Sequence, residues 1–557
     1  MNTPIAGRRL FLELLKQESV KVMFGNPGTT ELPLMDALAG EDEIHYVLAL
    51  QESLVMAMAD GYARASGSVA VANVHVAPGL GNAMGMLFDA HKAGSPVLVT
   101  AGQQAQGFGI TEPNLYAELP SLARPFVKYA AEVAGVGDLP RLLHRAVKTA
   151  LAPPSGPVFL SLPVDVMNAE ADVAMGAPTR VAPFIGADLD EITRAARLLA
   201  AAERPVIIGG DAAAQSNAAA ELIAFADALG APVYLEGEPT TLPFPPAHPL
   251  FRGPITRLGS WIRPMLDQHD LLVSIGADLF TLSLPPTVEP LPPGMKIVHL
   301  DTDPWQLGKN FPTEAALFGD PRTSLPLLTK ALDAALDTSG RSKVKTRHAK
   351  TVADVAADFA ALDARAREEA SRSPMSPLSL MQAVGETLPA EAVVIDETIS
   401  SAAGLFTFLR NAPPGSLFGN RGGGIGWGLP AAIGVQLALT KRPVVALIGD
   451  GSAMYSIQAL WTAAHDRVPV TFVILNNRSY RILKTRLSAT QGIAAQRGRY
   501  VGMELDQPAI DFCGLAHSMG VEAVAVNDIP SFVAALQRGI ASQTPLLIDA
   551  AIDPSFQ

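Results

Sequence analysis

Two polar clusters in the last third of the chain each follow a run of apolar residues. Residues 444–448 lead directly into Gly449-Asp450-Gly451-Ser452, and residues 472–475 lead into Asn476-Asn477. Asp450 and Asn477 carry hard oxygen donors of the type that Mg²⁺ or Ca²⁺ selects, and the glycines beside Asp450 let the backbone approach a diphosphate. Either cluster alone also suits an ordinary turn between a strand and a helix, because Gly, Asp and Asn are turn residues. Both together predict a site for a divalent cation and a diphosphate.

The elements that must position these clusters are strands of parallel sheets. Short β-branched runs alternate with helical patterns throughout the chain, and the runs are almost continuously apolar, as in strands buried on both faces. Polar clusters at the carboxyl ends of neighbouring parallel strands share one sheet edge, where open α/β sheets bind ligands. The predicted strands are residues 20–24, 44–50, 68–75, 96–102, 156–163, 204–209, 232–235, 270–276, 295–300, 392–396, 443–449, 468–476 and 545–550.

Two stretches of different composition divide the chain. Residues 169–187 are rich in Pro and Ala and predict a linker, whereas residues 339–373 are charged and predict a helical connector. The fold class predicted is therefore α/β, with three doubly wound parallel-sheet domains over residues 1–178, 188–338 and 374–557.

Composition excludes several classes of protein. The chain has 557 residues, of which 48% are hydrophobic and 17% charged, and this excludes a disordered protein. The net charge of −12 argues against a nucleic-acid partner, because no basic face is available to neutralise phosphates. The uncharged run 65–88 contains His, Pro, Asn and several Gly residues, which a bilayer helix would not tolerate. We expect a cytoplasmic protein that acts on small molecules and has no membrane partner.

The Asp450 and Asn477 clusters, 27 positions apart, resemble the thiamine diphosphate motif, and the resemblance extends over the whole chain. Further segments are similar to the thiamine diphosphate decarboxylase and synthase superfamily, and within it to the benzoylformate decarboxylases. These segments are residues 24–29 (FGNPGT), 50–52 (LQE), 61–64 (GYAR), 79–83 (GLGNA), 101–104 (AGQQ) and 429–434 (LPAAIG). The resemblance implies a pyrimidine-binding, a central Rossmann-like and a diphosphate-binding domain, in that order. It also implies thiamine diphosphate and Mg²⁺ (or Ca²⁺) as cofactors, and a homotetramer, a dimer of dimers, whose active sites are each shared by two chains.

Glu52 matches the catalytic carboxyl group that the family places on the cofactor's pyrimidine ring. In this family the aminopyrimidine itself takes the proton from the thiazolium C2 atom, so the protein must supply a positioned carboxyl group. The residue also suits the first turn of a helix, where the macrodipole favours an acid.

Further cofactor contacts follow from the resemblance. Ile425 matches the bulky aliphatic residue that wedges between the two cofactor rings, and the Gly423 carbonyl would accept a bond from the 4′-amino group. Contacts to the diphosphate would come from Ser400, Gly451, Ser452 and Tyr480, and the Ser479 carbonyl would be the third protein ligand of the metal, beside Asp450 and Asn477.

Two candidate catalytic residues match the benzoylformate decarboxylases in particular. His75 matches an active-site histidine proposed to transfer protons to and from bound intermediates. Thr29 stands where those enzymes carry a serine that binds the substrate carboxylate. A lone histidine in an apolar stretch is otherwise more often a core residue.

The chain departs from the benzoylformate decarboxylases in the substrate pocket. Their second active-site histidine falls at about Ser283, so that proton donor is missing. Lys484 and Arg486 occupy a segment where those enzymes have aromatic residues facing the phenyl group. A cation there indicates either a substrate with an extra anionic group or a solvated helix face.

The function that we predict is a thiamine diphosphate-dependent, non-oxidative 2-oxo acid decarboxylase, a carbon–carbon lyase with possible carboligase activity. One alternative is an acetolactate synthase-like carboligase, and another is a cofactor-binding regulatory paralogue without turnover. A flavin- or nicotinamide-linked oxidoreductase is a weaker alternative, because the chain contains no GxGxxG segment.

Overall fold

The computed structural model describes residues 4–556, and three six-stranded sheets follow one another along this part of the chain. Every strand pair within them is parallel, and helices flank each sheet. The predicted class of three doubly wound domains is therefore confirmed.

The first sheet has the strand order β3-β2-β4-β5-β7-β6, and a short antiparallel pair joins β1 to β8. The strands of the sheet are β2 (Val22–Gly25), β3 (His45–Leu48), β4 (Ala70–Val74), β5 (Val97–Gln103), β6 (Ala130–Glu132) and β7 (Val158–Pro163), and the separate pair consists of β1 (Ile5–Ala6) and β8 (Glu170–Ala171). The helices are α1 (Gly7–Gln17), α2 (Leu32–Leu38), α3 (Glu52–Ser66), α4 (Val76–Ala93), α5 (Leu119–Ala123), α6 (Leu139–Leu151) and α7 (Val164–Asn168), with 3₁₀ turns at Thr29–Glu31, Phe108–Thr111, Arg124–Phe126 and Val136–Asp138.

The second sheet follows a stretch without regular secondary structure, residues 172–188, at the predicted linker. Its strands are β9 (Pro205–Gly209), β10 (Val233–Leu235), β11 (Phe251–Pro254), β12 (Leu271–Ile275), β13 (Lys296–Asp301) and β14 (Ala315–Phe318). Its helices are α8 (Leu189–Ala201), α9 (Asp211–Gln215), α10 (Ala219–Leu229), α11 (Gly259–Leu266) and α12 (Pro321–Ala335). The strand order β11-β10-β9-β12-β13-β14 is that of a Rossmann sheet, with the switch point between β9 and β12.

The third sheet, of order β16-β15-β17-β18-β20-β19, follows the long charged helix α13 (Thr338–Glu369). Its strands are β15 (Val393–Glu397), β16 (Leu417–Gly419), β17 (Val444–Gly449), β18 (Val470–Asn476), β19 (Glu522–Val526) and β20 (Leu546–Ala551). The helices are α14 (Pro377–Thr387), α15 (Leu405–Phe408), α16 (Gly428–Ala438), α17 (Asp450–Ala453), α18 (Ala459–His465), α19 (Arg481–Ala489), α20 (Ile493–Arg497), α21 (Phe512–Ser518) and α22 (Ile529–Ala541). Within residues 4–556, no helix has the length and apolar character that a membrane crossing requires.

The strands of the three large sheets that the sequence did not predict all lie at sheet edges. They are β6, β11, β14, β16 and β19. Four of them have mixed burial along the strand, and β16 has only three residues, so the continuous apolar run of a central strand is missing.

Close backbone packing joins the first domain to the third. A Cβ atom on Gly61 of α3 would lie 2.4 Å from the Ala431 carbonyl oxygen of α16, and one on Gly434 would lie 2.0 Å from the Met58 oxygen. Glycine is therefore required at both positions. One hydrophobic core runs through both domains as a result.

Candidate active site

Asp450 lies where β17 ends, as the sequence predicted, and the residue is 3% exposed. Oδ1 accepts a bond from the Gly451 amide at 2.8 Å, whereas the buried Oδ2 has no hydrogen-bond partner within residues 4–556. Burial raises the pKa of Asp450 to about 6, and backbone amides of Gly451 and of residues 477–479 act in the opposite direction. An unpartnered buried carboxylate oxygen is unfavourable alone and fits a metal ligand.

The second predicted cluster lies beside the first, because β17 and β18 are paired neighbours. Asn477 is 6% exposed, and its Oδ1 accepts bonds from the Ser479 amide at 3.0 Å and the Ser479 hydroxyl at 2.9 Å. The described residues contain no group of three His, Cys, Asp or Glu side chains able to hold a metal. A site here would therefore combine one carboxylate, one amide and one backbone carbonyl, which are oxygen donors suited to Mg²⁺ or Ca²⁺.

The surroundings of Asp450 explain the glycine that follows it. A Cβ atom on Gly451 would lie 2.5 Å from Cε1 of the Tyr480 ring, so only glycine fits under that ring. Ser452, in the same turn, is 4% exposed. The structure thus brings Asp450, Gly451, Ser452 and Tyr480 together.

Ser400 is joined to the segment after Asn477 by Arg481, which sequence reasoning missed. Arg481 donates from Nε to Ser400 Oγ at 3.1 Å and from Nη2 to the Ser400 carbonyl at 2.9 Å. It also donates to Ser401 Oγ at 2.7 Å and to the Asp553 carbonyl at 3.0 Å. No sequence motif marks this arginine, because its partners come from distant parts of the chain.

Strained backbone lies beside three of the candidate groups. Val76, Ile399 and Arg478 have φ values of +37°, +56° and +56°, and each directly follows or precedes a candidate site residue. Left-handed backbone is costly for β-branched residues in particular, and such strain concentrates at functional sites.

The loop that carries Gly423 and Ile425 is held by two buried acids that sequence reasoning missed. Glu397 accepts bonds from the amides of residues 426, 427 and 428 at 2.8, 3.2 and 2.8 Å, and burial raises its pKa to about 7. Asp89 of α4 accepts a bond from the Gly424 amide at 3.1 Å, and burial raises its pKa to about 8. Gly423 itself has φ +80° and open space where a Cβ would lie, so its backbone is accessible to a ligand.

Arg421, at the start of the same loop, fills the crevice at the carboxyl edge of the central sheet. Its guanidinium binds Glu236 through two bonds of 2.7 and 2.6 Å and Asp211 through one of 2.8 Å. A nucleotide diphosphate in a Rossmann sheet lies at this switch point, where the chain instead presents acids paired with Arg421. This arrangement disfavours the flavin- and nicotinamide-linked alternative.

Glu52 begins α3, after Gln51, whose side chain accepts a bond from the Ser53 amide. Glu52 is 8% exposed, and its Oε2 accepts a bond from Asn82 at 3.0 Å. A Cβ atom on Gly79 would lie 3.0 Å from Oε1, so the glycine keeps this side of the carboxylate free. The group is thus buried, fixed by one neutral donor, and open on one side.

His75 is oriented by an acid that sequence reasoning missed. Its Nδ1 lies 2.7 Å from Glu31 Oε2, and Glu31 is 2% exposed. Gly28 leaves the space that the imidazole occupies, because a Cβ there would lie 2.2 Å from its ring. Thr29, in the next turn, is exposed, and its neighbour Thr30 is the buried hydroxyl near His75 Nδ1, at 3.2 Å.

Glu52 and the loop of Ile425 contact different ends of α4 within one chain. Glu52 lies beside Gly79 in the first turn of α4, whereas the loop of Ile425 contacts Asp89 near its other end. Ten residues of helix separate these contacts, which corresponds to about 15 Å. Within one chain, Glu52 and the contact that holds the loop of Ile425 therefore lie near opposite ends of α4.

Of the residues at the expected substrate pocket, Lys484 is neutralised and Arg486 is not. Lys484 pairs with Glu504 at 2.9 Å. Arg486 Nη2 donates to Ser283 Oγ at 3.1 Å, so the structure places these two expected pocket residues in contact.

Comparisons with known proteins agree with this geometry. Residues 5–108, 192–328 and 400–550 match the N-terminal TPP binding, central and C-terminal TPP binding domains of the thiamine pyrophosphate enzymes. Benzoylformate decarboxylase of Pseudomonas aeruginosa is 34% identical over 546 residues, 96% of this chain and 97% of that protein. Acetolactate synthase isozyme 1 large subunit of Escherichia coli is 28% identical over 560 residues, 98% of this chain and 94% of that protein. The structure of the thiamine diphosphate-dependent 4-hydroxybenzoylformate decarboxylase of Rhodococcus jostii superposes with a TM-score of 0.86 at 30% identity, over 99% of this chain and all of that one.

The similarity over nearly the full length of the chain and the match of all three domains confirm the predicted family and the predicted thiamine diphosphate cofactor. The chain belongs to the thiamine pyrophosphate enzymes, in the family of decarboxylases and acetolactate synthases.

Proposed function

We propose that this enzyme is a non-oxidative 2-oxo acid decarboxylase that releases CO₂ and an aldehyde. When bound, thiamine diphosphate supplies the carbon nucleophile and the electron sink that the reaction needs. The residues of this chain would bind and orient the cofactor and hold the protons that the reaction transfers. Asp450, Asn477 and the Ser479 carbonyl would hold Mg²⁺, while Ser400, Gly451, Ser452 and Tyr480 would surround the diphosphate.

The loop that carries Gly423 and Ile425 and the first domain would complete the site from two sides. Ile425 and the Gly423 carbonyl would contact the cofactor rings, and Glu52 would bind the pyrimidine. The separation of Glu52 from Ile425 within one chain supports a site completed by a second copy, as in a dimer of dimers. Exposed apolar side chains near both sets, such as Leu50 and Leu483, support the same assembly.

The observation that carries the decarboxylase assignment is the bond between His75 Nδ1 and Glu31. A carboxylate at Nδ1 fixes the ring, and no described residue bonds to Nε2, so Nε2 can exchange a proton with a bound ligand. Aldehyde formation requires a proton at the reacting carbon, whereas capture by a second carbonyl group does not. Thr29 would contact the substrate carboxylate in the same half of the site.

A panel of 2-oxo acids, assayed with thiamine diphosphate and Mg²⁺ for CO₂ and organic products, tests this proposal. We expect CO₂ and aldehyde in equal amounts, and we expect the variant His75→Ala to lose aldehyde formation more than tenfold. Acetolactate as the main product from pyruvate would instead indicate a carboligase. The absence of turnover with the whole panel would indicate a regulatory paralogue.

A further inference from the structure

Arg486 reaches out of its own domain. It lies in the last turn of α19, and its Nη2 donates to Ser283 Oγ at 3.1 Å, in the segment after β12 of the central domain. An arginine that only favours the end of its helix would extend into water. The contact across the domain boundary therefore favours an Arg486 that faces the central domain over the solvated helix face that the sequence left open.

The positive charge of Arg486 has no carboxylate partner. Within residues 4–556, no acidic oxygen lies within 4.0 Å of this guanidinium. The acid nearby, Glu238, is already paired with Arg257. Within residues 4–556, the Arg486 guanidinium has Ser283 Oγ as its one hydrogen-bond acceptor, so its other donors remain free for a ligand.

The position of Arg486 relative to the candidate site follows from its helix. Arg481, at the start of α19, fixes Ser400. Arg486 lies five residues further, which corresponds to about 7.5 Å along the helix axis. Leu483, on the same side of α19, is 46% exposed, whereas Lys484 on the other side is buried against Glu504. The exposed side of α19 thus offers one free guanidinium beside an apolar surface.

We propose that Arg486, oriented by Ser283, determines substrate specificity by binding a second anionic group on the 2-oxo acid. This inference rests on the proposed decarboxylase function. A guanidinium matches a carboxylate or sulfonate through paired, charge-assisted hydrogen bonds, which a hydrocarbon or aryl group cannot form. The preferred substrates are therefore 2-oxo dicarboxylates or their sulfonate analogues.

Pairs of substrates with the same shape test this proposal in the holoenzyme. Oxaloacetate is compared with 4-methyl-2-oxopentanoate, and 2-oxoglutarate with 5-methyl-2-oxohexanoate, in which an isopropyl group replaces the second carboxylate. 3-Sulfopyruvate distinguishes a sulfonate from a carboxylate. We expect kcat/KM to be at least tenfold higher for the anionic member of at least one pair. In Arg486→Met, kcat/KM for that member should fall at least tenfold, while its neutral partner changes less than threefold.

Two control variants show whether the preference depends on the orientation of the Arg486 charge or on any positive charge of the chain. Ser283→Ala keeps the guanidinium and should lower the preference for anionic substrates by a smaller factor than Arg486→Met. Arg194→Met removes an exposed charge on α8 and should leave the preference unchanged. Equal losses for both members of each pair in Arg486→Met, or no preference in the wild type, would overturn the proposal.

A binding measurement distinguishes failure of this inference from failure of the proposed function. 2-Hydroxyglutarate has no ketone and cannot react, so calorimetry with the loaded enzyme reports recognition alone. We expect Arg486→Met to weaken its binding at least tenfold. Absence of turnover with normal, Arg486-dependent binding would contradict only the decarboxylase function, whereas unchanged binding in the variant would contradict the role of Arg486.

Discussion

At the scale of single residues, the candidate site depends on carboxyl groups whose partners differ. Glu52 has one neutral donor, Asn82, and an open side at Gly79, whereas Glu31 accepts bonds from the Gly28 and Gly102 amides and contacts His75. The first arrangement suits a group that binds a ligand. The second suits a group that orients another side chain.

Replacing Glu52 by Gln should leave the cofactor bound but prevent its activation. The amide keeps the shape of the side chain but cannot act as the proton-linked partner of the pyrimidine, so hydrogen–deuterium exchange at the cofactor C2 atom should slow by orders of magnitude. NMR after acid quench measures this exchange. Exchange at the wild-type rate in the loaded variant would remove Glu52 from the site.

Replacing Glu31 by Gln should reduce kcat about tenfold or more while changing KM little, because the His75 ring would lose its charged partner. Glu18→Gln is the matched control, since Glu18 is a buried acid of the same domain that pairs with His144. A loss of activity of the same size in both variants would indicate a general effect on the domain.

At the scale of elements, the site lies in the turns that follow parallel strands. β17 and β18 deliver Asp450 and Asn477 to one edge of the third sheet, and the sheet itself does not depend on either side chain. The first domain contributes helix starts, with Glu52 opening α3 and His75 preceding α4.

Asp450→Ala and Asn477→Ala should weaken the Mg²⁺-dependent binding of thiamine diphosphate at least tenfold, with little change in melting temperature, because each removes a ligand in a loop. Calorimetry at several Mg²⁺ concentrations measures the effect. Asn476→Ala is the matched control, since that neighbouring amide bonds to Asp549. Unchanged affinity in the first two variants would mean that the metal binds elsewhere.

Asp89 should make stability decrease as pH rises. Its pKa in the folded protein is about 8, against an ordinary value of 3.8, and the main cause is burial. The folded state therefore holds the proton more tightly than the unfolded state, so the stabilisation is complete below about pH 4 and is lost as pH rises towards 8, by up to about 1.4 kcal/mol per pH unit. Melting temperatures of the wild type and Asp89→Asn from pH 5 to 8 check this. A variant with the same slope as the wild type would exclude Asp89 as the cause.

At the scale of the whole molecule, polar contacts between domains add to the hydrophobic core that the first and third domains share. Arg64 of α3 donates to the Gly419 and Thr240 carbonyls, and Arg421 of the third domain pairs with acids of the central domain. These contacts join the domains within one chain, in which Glu52 and the loop of Ile425 lie near opposite ends of α4.

Mixing two inactive variants should restore activity if two chains complete each site. Glu52→Gln and Asp450→Ala damage different halves, so each mixed dimer contains one intact site. After subunit exchange between equal amounts of the two variants, half of the dimers are mixed, and about a quarter of all active sites should be intact. Activity that does not rise above that of the separate variants, although mass spectrometry detects mixed dimers, would place each site within one chain.

The sequence by itself determined the parallel-sheet class, the three domains and the family, because each depends on patterns of residues that are close together in the chain. Central strands are continuous apolar runs since they are buried on both faces, and the Asp450 and Asn477 clusters keep their spacing since adjacent strands end in them. Only the tertiary structure decided five of the six edge strands, which lack the continuous apolar run of a central strand, and the partners of buried charges. Glu31, Arg481 and Arg421 look like ordinary surface residues in the sequence, and their partners lie as far as 210 positions away. The orientation of Arg486 towards Ser283 likewise depends on how two domains meet, and no spacing along one chain encodes that.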